Sequence, residues 1–155
     1  MGRVSITTWI DASPDTCFDL VRDVDAHIQS TPGTSERAVA GVTTGLLGEG
    51  DRVTWEARHL GVKWRMTVAI TAYDRPRFLV DEMIHGPFGS FRHFHGFLPD
   101  GAGTRMIDIM TYTVPAWWIG RVFDRLILEA YMRRVLERRI AVLQELAESI
   151  EDPLL

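Results

Sequence analysis

From Leu128 to Ile150 the apolar residues recur every three or four positions: Leu128, Met132, Val135, Leu136, Ile140, Leu143, Leu146 and Ile150. That period predicts one long amphipathic helix, whose stripe must be covered by an apolar surface elsewhere in the chain. The helical pattern reaches back to Trp117, and its first turns, up to Ile127, are apolar on more than one side. The front end of the helix is therefore expected to be enclosed. A run of about 33 residues would span about 50 Å, so a break or bend is expected, with Gly120 as one place for it.

The cover for the stripe lies upstream, in strands with one apolar face. Val4–Ile10 carries Val4, Ile6, Thr8 and Ile10 on its greasier side. Ser13 then caps a helix that has Pro14 at its first position, Asp15 in its first turn and Cys17, Phe18, Leu20 and Val21 facing inward. A second short helix is expected over Val24–Gln29, ended by Thr31-Pro32-Gly33, and a weak strand over Glu36–Thr44. Asp51–His59 and Val62–Ile70 form a hairpin about Leu60-Gly61. Trp55, Ala57 and His59 then oppose Met66, Trp64 and Val62, while Thr54, Glu56 and Arg58 oppose Thr67, Arg65 and Lys63. One greasy and one charged face mean a sheet wetted on one side. Strands over Phe78–Ile84, Phe91–Leu98 and Thr104–Val114 follow, separated by turns at Gly86–Gly89 and Asp100–Gly103 and ended by Pro115. The fold class is α+β, in a single domain over residues 1–155.

With 46% hydrophobic residues the chain can fill a core without disulfide or metal. Five tryptophans and six methionines suit a wide or adaptable interior. A net charge of -4 disfavours nucleic acid as a partner. Arg133, Arg134, Arg138 and Arg139 are expected to lie on a solvated helix face with Glu129 and Glu137. Cys17 has no partner for an intrachain disulfide. No secretory signal or run of 18 apolar residues is visible, so integral membrane association is not expected and the cytoplasm is the expected location.

A strand, two short helices, six antiparallel strands and a long last helix is the element order of the helix-grip fold. With Phe78–Met83, Gly86-Pro87-Phe88, His93, His95, Phe97, Thr104-Arg105-Met106, Asp108 and Tyr112, the chain resembles the START-like (SRPBCC) superfamily. That superfamily includes START lipid-transfer domains, plant pollen-allergen proteins and the polyketide cyclase/dehydrase group, and the resemblance is to a bacterial branch of the last. It implies a curved sheet of about seven strands wrapped around the C-terminal helix, enclosing a pocket for sterols, lipids, polyketides or quinones. It carries over no catalytic residue.

The residues nominate a pocket wall of Trp55, Trp64, Met66, Met83, Phe91, Met106 and Met110 on the sheet and Trp118, Phe123 and Ile127 on the helix, with Tyr112 supplying a hydroxyl. His93 and His95 share one face of their strand, and folding about the Asp100 turn brings His93 near Asp108 and His95 near Met106. Asp81 lies on the neighbouring strand with its facing open. An Asp–His pair in an apolar pocket could hold a ligand, act as a general base, or be only a satisfied buried pair. His93-x-His95 also has a metal-like spacing, but no third ligand is fixed, so no metal and no cofactor are assigned. Three functions follow. A hydrophobic small molecule is held unchanged, a cyclase/dehydratase-type enzyme moves a proton with Asp81, His93, His95 or Asp108, or the chain is a protein-interaction module. Trp117 and Trp118 could serve a homodimer contact or a pocket lid.

Overall fold

The computed structural model of the chain describes residues 1–115 and 122–152, with the side chains of 122–125 left aside. Strand β1 (Gly2–Ile10) is followed by helices α1 (Pro14–Val21) and α2 (Val24–Gln29). Then come β2 (Arg37–Gly41), β3 (Arg52–His59), β4 (Val62–Asp74), β5 (Phe78–His85), β6 (Ser90–Asp100), β7 (Gly103–Thr113) and the long helix α3 (Val122–Glu151). The strands form one antiparallel sheet in the order β1-β7-β6-β5-β4-β3-β2. Every neighbour except β1–β7 is consecutive in sequence, so hairpins build most of the sheet and β1 closes against the last strand.

The helix boundaries follow from side-chain chemistry. The Ser13 hydroxyl accepts from the Thr16 amide and Pro14 opens α1, as expected for a cap with a donor-less first residue. Asp23 caps α2 by accepting from Asp25 and Ala26 amides. The far end of α3 ties down this corner: the Glu151 carboxylate accepts from the Ser13 amide and hydroxyl and from Thr16 Oγ1, and Glu148 accepts from the Asp11 amide. These contacts give the last turns of α3 something to reach, and the helix runs unbroken from Val122 to Glu151. No break occurs over that range; Trp117, Trp118 and Gly120 lie outside the described residues.

The β3–β4 register is the expected one, Trp55 opposite Met66, Ala57 opposite Trp64 and Glu56 opposite Arg65. Leu60 and Gly61 make the two-residue turn, both with positive φ (52° and 77°). Strand β4 runs four residues beyond Ile70, to Asp74, and its pairing with β5 shifts between Thr67 and Val68 and again between Ile70 and Ala72. The β6–β7 register is two residues from the expected one: His93 opposes Met110 and His95 opposes Asp108. The turn is tighter than the sequence suggested, because Asp100 and Gly103 pair directly and only Gly101 and Ala102 lie between them. A shift of two keeps every side chain on its face, so His93, His95 and Asp108 still meet.

The stripe of α3 packs on the concave face: Leu128, Leu136, Ile140, Leu143 and Ala147 are buried with Val4, Ile10, Phe18, Leu79, Phe97 and Met106. Ile150 is exposed instead, and Ala147 takes the last buried place. On the convex face Glu56 is only 4% exposed because Arg37, Lys63 and Arg65 cover it, each pairing with its carboxylate. Those three cations hold Glu56 down at about 2.

Candidate functional site

Toward the β3–β4 hairpin the sheet and α3 part around a cavity of about 170 Å³. Apolar cavities of about 150 Å³ accept a single aromatic ring, so this one has room for the ring-sized part of a ligand. Its sheet wall is Trp55, Ala57, Trp64, Met66, Val68, Phe91 and Met110; Pro87 and Phe88 come from the β5–β6 turn. Its helix wall is Leu128, Tyr131, Met132, Val135 and Leu136. Leu60, 65% exposed at the hairpin tip, lines the place where the cavity meets solvent. The Tyr131 hydroxyl and His59 Nδ1, 2.8 Å apart, join the helix to that tip.

Of the nominated wall residues, Trp55, Trp64, Met66, Phe91, His93 and Met110 line the cavity. Met106 does not: paired with Phe97, it is fully buried in the filled core. Tyr112 is buried against Phe88, and Met83 is packed at the core's edge; both border a separate shallow hollow with Met1. Ile127 is 46% exposed and turned off the stripe. Trp118 lies outside the described residues, as does the side chain of Phe123.

The polar floor comes from β5, β6 and β7. Asp81 faces inward, opposite His93 across the β5–β6 ladder. Asp108 Oδ1 accepts from His95 Nδ1 at 2.7 Å and from His93 Nε2 at 3.1 Å, and His95 Nε2 lies 3.1 Å from Asp81 Oδ2. The two imidazoles sit with centroids 3.8 Å apart. Asp81 and His93 line the cavity; His95 and Asp108 stand behind them, and Asp108 Oδ2 is buried with no hydrogen-bond partner. Burial and the neighbouring His95 push the His93 imidazole down to about 4. Burial works against a charge on His95 too, but Asp108 and Asp81 outweigh it and hold that ring above its ordinary value. Burial would raise Asp81 and Asp108, yet the imidazoles keep both below the usual carboxylate range.

A second polar group escaped the sequence reading. His27 of α2 stacks on Trp55 (centroids 4.0 Å apart, 19° between planes), and its Nε2 lies 3.2 Å from Glu36 Oε1. Burial raises Glu36, but His27, the Thr31 hydroxyl and Arg139 outweigh it and lower it to about 2. Burial and Arg139 push His27 down. Arg139 is the correction to the expected solvated face: Arg133, Arg134 and Arg138 are exposed, but Arg139 reaches the cavity with a buried Nε that has no hydrogen-bond partner. Its position held the signal. Residue 139 lies four after Val135, three after Leu136 and four before Leu143, inside the apolar stripe. Glu36 had no such sign, since its place depends on the loop after α2. A smaller cavity of about 40 Å³ adjoins the first and shares His27, Trp55, Val68, Asp81 and Arg139 with it.

A family model described as polyketide cyclase / dehydrase and lipid transport matches residues 1–148. A protein from Thermus thermophilus is similar in structure at 23% identity, with 92% of this chain and 94% of that one covered and a TM-score of 0.75. The Zhui aromatase/cyclase from a Streptomyces species matches at 16% identity over 95% and 93% of the two chains, TM-score 0.73. A START superfamily protein from Mycobacterium smegmatis matches at 16% identity over 97% and 99%, TM-score 0.70. No curated protein is similar to the chain in sequence at a significant level. No helix among the described residues is long and apolar enough to cross a membrane.

Proposed function

As the chain belongs to the polyketide cyclase/dehydrase and lipid transport family, we propose that it binds a hydrophobic small molecule of the lipid, quinone or polyketide kind between sheet and α3 and releases it unchanged. The observation that carries this reading is the cavity itself. Rings, thioethers and aliphatic side chains wall a space that a tightly packed core would have closed. The few polar groups, His27, Glu36, Asp81, His93 and Arg139, cluster on one side. A ligand with an apolar body and one oxygen-bearing end fits that division.

Native mass spectrometry of the freshly purified protein tests it. A stoichiometric small molecule that leaves on denaturation is expected, and its identity names the ligand class. Protein that is empty as isolated and also fails to quench Trp55 and Trp64 fluorescence with added quinones or fatty acids would sink the reading. A second reading has one observation behind it: the His93 ring lines the cavity while Asp108 holds its Nε2 from behind. In that reading the pair moves a proton on a polyketide-like substrate. Turnover that disappears in His93→Asn and Asp108→Asn, with ligand affinity retained, would favour it.

A further inference from the structure

His93 and His95 lie two apart on one face of β6, and Asp81 opposes His93 on β5. Each of the three offers a ligand atom, and these atoms lie within 4.8 Å of one another. The third ligand, which spacing alone left unassigned, is therefore Asp81. We propose that Asp81, His93 and His95 form a binding site for a divalent first-row transition-metal ion of the zinc type.

Asp108 is the second observation. One of its oxygens accepts from a nitrogen of each ring, Nε2 of His93 and Nδ1 of His95. Those nitrogens carry protons, which leaves His93 Nδ1 and His95 Nε2 to face an ion. In the metal-free chain His95 Nε2 donates its proton to Asp81 Oδ2, 3.1 Å away, and an ion binding between them displaces that proton. A buried carboxylate that fixes the tautomer of metal-binding imidazoles from behind is the usual outer support of such sites. Two imidazoles and a carboxylate suit zinc and its neighbours rather than magnesium or calcium.

Three carboxylates, Glu36, Asp81 and Asp108, gather at this end of the molecule with the guanidinium of Arg139, and a divalent ion at Asp81 would sit among them. Because Asp81 and His93 line the cavity and His95 does not, the open side of the ion faces the cavity. A carbonyl, enol or carboxylate oxygen of a cavity ligand would complete its coordination. This site stands apart from the reading of the cavity as a carrier, since metal can bind with the cavity empty.

The test uses the full chain purified without an affinity tag, stripped with chelator and titrated with Co²⁺ alone. One equivalent should bind saturably and give the intense visible bands of four- or five-coordinate cobalt, and added Zn²⁺ should bleach them. Asp81→Asn, His93→Gln and His95→Gln should each remove the bands. Asp108→Asn should weaken binding by about 10–100-fold. His85→Gln, an exposed histidine, should change nothing. Urea midpoints of the metal-free variants show which of them fold. Wild-type protein that never saturates, or a spectrum that survives in the His93→Gln/His95→Gln double variant, overturns the proposal. Those outcomes leave the carrier reading to native mass spectrometry.

Discussion

The two ends of the α3–sheet interface are built from the same kinds of residue and come out differently. At the α1 end, Phe18 meets Phe97 and Tyr73 edge-on (centroids 5.5 and 5.2 Å apart), and Leu79, Met106, Leu143 and Ala147 fill the rest. Glu148 and Glu151 bolt α3 to that corner. At the hairpin end, Trp55, Trp64, Met66, Phe91 and Met132 surround open space. One end is a core and the other a container. Apolar surface at the first is spent on stability, and at the second it stays available to a guest.

The comparison breaks most easily by truncation. Phe97→Ala should cost about 3–5 kcal/mol, because a close-packed surround cannot collapse onto the void. Trp64→Ala, half-buried beside space that is already open, should cost about 1 kcal/mol. Urea denaturation of both variants decides the matter. Equal losses would mean that the hairpin end is packed in solution.

Next in size is acid sensitivity at the container end. Glu36 drops from an ordinary 4.5 to about 2 in the folded chain, facing His27 on α2, Arg139 on α3, the Thr31 hydroxyl and, further off, His59 on β3. A carboxyl lowered by folding stabilises the native state above its unfolded value. That contribution is lost as pH falls from about 4.5 toward 2, to a limit of roughly 3 kcal/mol. Burial lowers His27 as well, so protonating it below its ordinary value of 6.5 also opposes folding, in the same direction. Urea midpoints at pH 7 and pH 3 should therefore fall further in the wild type than in Glu36→Gln. Parallel falls would show that Glu36 is not held ionised by the fold.

Alternation and the helical stripe made the sheet, its wet and dry faces and α3 legible from residues such as Trp55, Met66 and Leu136. Alternation cannot tell a filled end from a hollow one: Met106 and Met110 share a face of β7, and only Met110 lines the cavity. Their depth depends on the curl of the sheet against α3, which no local pattern encodes. The His–Asp cluster was legible despite the slipped register, because a shift of two preserves the face. Arg139 was less legible, because its charge suits a solvated face while its position puts it on the apolar stripe, where it lines the cavity.

A third prediction sharpens the comparison on the ligand side. Trp64→Ala should weaken binding of the apolar fluorophore N-phenylnaphthylamine by about tenfold, because the wall then lacks an indole for the fluorophore to pack on. Leu143→Ala, at the filled end, should leave the affinity of the folded fraction unchanged. If the two variants bind alike, the fluorophore is not in the cavity.

The smallest effect concerns Leu60, where stability and binding should move in opposite directions. Leu60 and Gly61 form a two-residue turn with both φ values positive, a shape that favours Asn-Gly. A leucine there carries a backbone strain of about 1 kcal/mol that asparagine largely avoids. The strained residue lines the cavity where it opens to solvent. A local rule broken beside a cavity points to a use for the side chain. Leu60→Asn should then stabilise the fold by up to about 1 kcal/mol while weakening fluorophore binding severalfold, because the rim no longer offers the guest an apolar side chain. Thermal or urea unfolding and a fluorescence titration on the same preparation read both changes. A gain in stability with no fall in affinity would make Leu60 a tolerated misfit, and the container would then begin deeper, at Trp64 and Tyr131.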